Sequence, residues 1–119
     1  MITQTDLTDN IQADIPELSD TLCDKAKGKN VYQVMYTLLD YTHSKIVEHN
    51  FNTVKKCLQV AEKLYEKGNG MVRNAVVNVF IYSFSKLLLH DKEDRKMLIS
   101  LIPISLYTLY IKQMLHSNL

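Results

Sequence analysis

Tryptophan is absent from this chain, and glycine occurs only three times, proline twice and cysteine twice in 119 residues. So little glycine and proline, with 46% hydrophobic residues, excludes a collagenous or intrinsically disordered chain and leaves a folded helical protein. Cys23 and Cys57 lie in separate helical patterns without a CxxC spacing. They read as small packed residues of a reducing compartment, neither a disulfide nor a metal pair. The opening MITQTDLTDNIQADIPEL has no basic start followed by an apolar run, so a secretory signal is not expected and the expected location is the cytoplasm. The apolar stretch 98–111 is interrupted by Ser100, Ser105 and Thr108 and falls short of the roughly 20 residues that cross a bilayer. Core packing is expected there, with no membrane partner.

The length fits a single all-helical domain covering residues 1–119, with disorder confined to its ends. A chain of this size buries roughly two thirds of its unfolded surface without a staple. The net charge of +1 conceals an asymmetry. Asp6, Asp9, Asp14, Glu17, Asp20 and Asp24 all precede the first basic residue, Lys25, whereas the later lysines and arginines are mostly interleaved with acids. Neither half offers the clustered basic face that tracks a phosphate backbone, so nucleic acid is not an expected partner.

Apolar spacing supplies the fold class. Thr3 or Thr5 is placed to cap a short acidic helix in which Leu7, Ile11 and Ile15 recur every four residues. Pro16 suits the first position of a second segment that has Leu18 and Leu22 inward and ends near Gly28. Asn30 caps the next helix, whose stripe is Val31, Val34, Met35, Leu38, Leu39, Thr42 and Ile46 and which stops near His49 and Asn50. From residue 51 to 89 two helical arms meet at Lys67-Gly68-Asn69-Gly70, an antiparallel hairpin. The first arm turns Val54, Cys57, Leu58, Ala61, Leu64 and Tyr65 inward. The second is apolar on most sides, with Asn74, Asn78 and Ser85 as its polar strip, which marks a central helix. Its run 76–82 is rich enough in β-branched residues for a buried strand, but no partner strand is in sight to take up its backbone groups. After the charged turn 90–94, Met97, Leu98, Leu101 and Ile102 form a stripe that Pro103 interrupts, and a last helix turns Leu106, Leu109, Tyr110 and Met114 inward. The expected fold is all-α, with five to six antiparallel helices in a compact bundle or a short stack of helical hairpins.

The string Lys67-Gly68-Asn69-Gly70-Met71-Val72-Arg73-Asn74-Ala75 resembles the turn and second-helix opening of HEAT and armadillo repeats, without a second copy at a period of about 40 residues. More widely, Ile15-Pro16-Glu17-Leu18, the helix end Leu64-Tyr65-Glu66 and the segment Val72-Arg73-Asn74 leading to Phe80 resemble a group of short, all-helical bacterial proteins of uncharacterised function. The similarity spans residues near 11 to 85. It implies fold rather than activity, and some members look like the small cytoplasmic proteins that accompany and neutralise bacterial toxins. Where an acidic residue is expected after Phe80, this chain has Ile81-Tyr82-Ser83.

Reactive constellations are scarce. Asp40, His43 and Ser44 share one helix face, but side chains on one face project side by side rather than converging, and no glycine elbow accompanies them. His43 and His49 are six apart and His90 and His116 stand in other segments, while Asp91, Glu93 and Asp94 lack the spacing of a calcium loop. No catalytic, cofactor or metal residue is expected. Tyr32 and Tyr36, one turn apart beside an apolar stripe, and Asp6, Asp9 and Asp14 in the acidic opening are the candidate partner-binding residues, suited to a basic protein partner. The expected function is a non-catalytic protein–protein interaction module, of an immunity or regulatory adaptor kind. The alternatives are a self-associating helical protein that dimerises through residues 98–114, and a small ligand-binding or enzymatic bundle with Asn74, Asn78 or His43 turned inward.

Overall fold

The computed structural model describes residues 1–18 and 30–117, His116 and Ser117 in backbone only. The expected segment from Pro16 to Gly28, with Leu22, Cys23 and the acids Asp20 and Asp24, lies outside the described residues beyond its first turn. Among the described residues the fold is an all-α bundle of six helices: α1 (Leu7–Asp14), α2 (Val31–Val47), α3 (Phe51–Lys67), α4 (Gly70–His90), α5 (Arg95–Leu101) and α6 (Ile104–Ser117). A single 3₁₀ turn, Pro16–Leu18, follows α1.

Local chemistry places most of these boundaries. Asn30 accepts the Gln33 backbone N–H while Gln33 reaches back to the Asn30 N–H, a reciprocal cap that fixes the start of α2. Asn50 and Asn69 cap α3 and α4 in the same sense, accepting the Thr53 and Val72 amides. The first helix departs from expectation. Asp6, not Thr3 or Thr5, stands at its N-cap position, and Thr3 spends its amide and hydroxyl on the Asp6 carboxylate instead. Those two bonds hold the Asp6 carboxyl below its ordinary value, the hydroxyl bond contributing most. Pro103 separates α5 from α6, since a proline disfavours helical backbone in the residue before it, and Ile102 is extended.

Burial follows most of the expected stripes, but Met97, expected inward with Leu98 on α5, is 48% exposed. Leu7, Ile11 and Ile15 of the first segment and all seven stripe residues of α2 are buried, as are Val54, Cys57, Leu58, Ala61 and Leu64 of α3. Val60 joins them, and Tyr65 lies at the core edge. α4 is the centre of the bundle, touching α2, α3, α5 and α6. It is long and apolar enough by composition to cross a bilayer, and half of that stretch is buried against the other helices.

The stretch 76–82, which β-branched content alone would allow as a strand, is helical but not regularly α-helical. Val76–Ile81 forms a π turn in which the Tyr82 N–H reaches back five residues to the Val77 carbonyl. The reason is visible in the core. Val72, Val76, Phe80, Phe84 and Leu88 recur every four residues and all are buried. In an α-helix of 3.6 residues per turn a row at that spacing drifts about 40° per step and would leave the core within a few turns. A locally wider turn keeps the row facing inward, with the Phe80 and Phe84 rings stacked 6.1 Å apart. The Val77 carbonyl also accepts the Gln113 side-chain amide of α6 at 3.0 Å. The structure also corrects one assignment on this helix. Ser85, expected on the polar strip, is buried and donates to the Ile81 carbonyl, whereas Tyr82 is half exposed beneath the Lys86 ammonium.

Candidate functional site

Two turns stand side by side at one end of the α3–α4 hairpin. α2 ends at Val47, and His49 adopts a left-handed conformation, φ 59°, so that the Asn50 N–H can return to the Lys45 carbonyl at 2.9 Å. A side chain other than glycine is uncommon there. Across from it α4 ends at His90. The Asp91 carboxylate accepts the Asp94 amide, and the Arg95 guanidinium donates to the carbonyls of Leu88 and Leu89 at 2.8 Å each, satisfying acceptors that the helix end leaves without an intrahelical partner. The two turns are joined by a side-chain contact, His49 Nε2 to Asp94 Oδ2 at 3.3 Å, with the His49 ring edge-on to Phe51.

Between these turns lies an open groove of about 760 Å³. Ile46 and Leu87 form its apolar floor and Val47 its wall, while His43, His49, His90, Asp91, Lys92, Glu93 and Asp94 supply the polar lining. The sequence separates His90 from His43 and His49 and so argues against their acting together. Folding corrects that, because α2 and α4 finish at the same end of the bundle and bring all three imidazoles to one groove. The convergence does not amount to a coordination sphere: among the described residues no three His, Cys, Asp or Glu side chains are disposed around a common ion. What the groove presents chemically is an apolar floor with three carboxylates and one ammonium at its margin. That combination suits an apolar side chain flanked by positive charge.

The candidates chosen from sequence lie elsewhere. Asp6 and Asp9 are exposed on α1, and Asp14 is half-buried and paired with Lys63 at 3.3 Å. Tyr32 and Tyr36 are exposed on α2, 41% and 50%, one turn apart. None of these five lines the groove. α1 packs against both α2 and α3, so the acids and tyrosines belong to neighbouring elements. Asp40, His43 and Ser44 are exposed, and the Ser44 hydroxyl is spent on the Tyr41 carbonyl. Asn74 and Asn78 also face solvent, which removes the inward polar lining an internal ligand cavity would draw from them. Cys57 is buried beside Thr42, and burial pushes its thiol above the ordinary range. Tyr41 donates to the Glu17 carboxylate at 2.8 Å. That bond holds Glu17 low, while burial and then the same bond hold the Tyr41 phenol high.

The groove was missed in sequence because its residues come from positions 43–49 and 87–94, which no single periodicity links. The signal present was the density of His and acidic residues in the two turns. The family described as "Domain of unknown function (DUF7674)" matches residues 8–116, and the chain belongs to that family. The all-helical structure agrees with the resemblance to short helical proteins of uncharacterised function. No curated protein and no solved structure matches the chain.

Proposed function

We propose that this protein is a non-catalytic protein–protein interaction module of the bacterial cytoplasm, of an immunity or regulatory adaptor kind, acting on a basic partner. The single observation that carries the reading is the groove, with an apolar floor at Ile46 and Leu87 and a margin of Asp91, Glu93 and Asp94 against Lys92 alone. An apolar anchor with adjacent Lys or Arg from a partner segment would bury its side chain on that floor and meet the carboxylates at the rim. The exposed Asp6 and Asp9 add negative charge on α1 that would favour encounter with the same class of partner. The HEAT-like string at the α3–α4 turn accords with this reading, since hairpins of that kind commonly build binding surfaces.

The test is affinity capture of the tagged protein from nuclease-treated native lysate, followed by quantitation of each bound protein. Val47 is 66% exposed, so Val47→Glu leaves the fold intact while placing a charge on the groove wall. A stoichiometric partner retained by the wild type and lost with Val47→Glu and Glu93→Lys supports the groove. Loss only on reversing Asp6 and Asp9 or truncating Tyr32 and Tyr36 transfers the binding surface to α1 and α2. No partner under any condition removes the proposal.

A further inference from the structure

We infer that the outward face of α6 is a self-association surface whose occupant is a second copy of this chain. The inference is independent of the groove. Leu106 and Tyr110 already face inward and are buried, yet Ile104, Tyr107, Ile111 and Leu115 form a second apolar stripe at helical spacing and are 84%, 40%, 37% and 61% exposed. A helix apolar on both faces is normally covered on both.

Charge chooses between occupants. From Ile104 to Ile111 α6 carries no Asp, Glu, Lys or Arg, and Lys112 is the one such residue between Ile104 and Leu115. A strongly acidic or basic partner would find little to pair with. A two-fold axis, by contrast, sets the same patch against itself, and an uncharged patch meets no like-charge repulsion along its centre. Area sets the strength. At roughly 100 Å² per large apolar side chain the four residues offer about 400 Å² per copy, below the roughly 800 Å² per partner of stable complexes. The dimer is therefore reversible and concentration-dependent rather than obligate.

Sedimentation velocity of the full-length protein from about 10 μM to about 1 mM tests this, since weak association is populated in that range. The weight-average mass is expected to climb from one copy towards two. Ile104→Glu and Leu115→Glu, both at exposed positions and checked for helicity by circular dichroism, should each hold it at one copy. Val47→Glu should dimerise as the wild type does, which separates failure of this surface from failure of the groove. A wild-type mass fixed at one copy throughout overturns the inference. Dimerisation undiminished in both glutamate variants overturns the assignment to α6.

Discussion

The α3–α4 hairpin has two ends, about 25 Å apart along α3 by helix rise, and they reverse the chain in different ways. At the 67–70 end the turn is closed by backbone. The Ile2 N–H donates to the Lys67 carbonyl at 2.6 Å, the Asn69 N–H returns to the Ile2 carbonyl at 2.8 Å, and Ile2 is buried. Gly68 is pressed so closely that a Cβ there would collide with the Leu64 carbonyl oxygen and lie 2.6 Å from Val72 Cγ1. At the other end side chains do the joining: Arg95 on the carbonyls of α4, Asp91 on its own turn, and His49 on Asp94. Backbone pairing draws segments into contact and leaves no room. Side-chain bridges hold two turns apart, and the groove is the space between them.

That contrast can be broken first at the closed end. Gly68→Ala is expected to lower stability by about 3 kcal/mol, the upper part of the range for overpacking, because the nearest atom is backbone and cannot rotate away. Urea unfolding would measure it, and a loss under about 0.5 kcal/mol would mean the turn is looser than described. Next come the bonds that define each end. Asn69→Ala removes the cap on Val72 and the bond to Gln4, and Arg95→Met removes two charge-assisted bonds to carbonyls. Each should cost about 1–2 kcal/mol. Only the Arg95 variant should increase hydrogen exchange at the groove, and only the Asn69 variant should increase it at Ile2.

Gly70 sharpens the comparison from the opposite direction. It stands two residues from Gly68, yet a Cβ at Gly70 meets nothing within 4 Å. Gly70→Ala should stabilise by about 0.5 kcal/mol, through the reduced freedom of the unfolded chain. The smallest effect belongs to neither end. Glu17 titrates lower in the folded protein than unfolded, so its contribution is present above its ordinary value of 4.5 and is lost as pH falls through the folded value. Tyr41 titrates higher when folded, so its contribution is present below 10.0 and is lost as pH rises towards the folded value. The stability difference between wild type and Tyr41→Phe should therefore be widest between those limits and narrow on both sides, as thermal melts across pH would show.

The helices were legible because their evidence is local. Every inward residue assigned to α2 is buried, and Asn30 caps where a short polar side chain precedes an apolar stripe. The groove was not legible, since His43 and His90 come to line one groove only when two helices end together. The Asp6 cap position was missed for a smaller reason: Thr3, Thr5 and Asp6 lie within four residues and could all serve, and the bonds of Thr3 to Asp6 selected the last.

By itself the sequence determined an all-α chain, the inward face of its long helices and the places where they begin and stop, because periodicity, capping and proline act over a few residues. Tertiary structure decided the π turn, the seat of Ile2 against Gly68 and the groove. Each of these rests on atoms far apart in the chain, Gln113 on Val77, Ile2 on Lys67 and His49 on Asp94, and only the packed bundle brings them together.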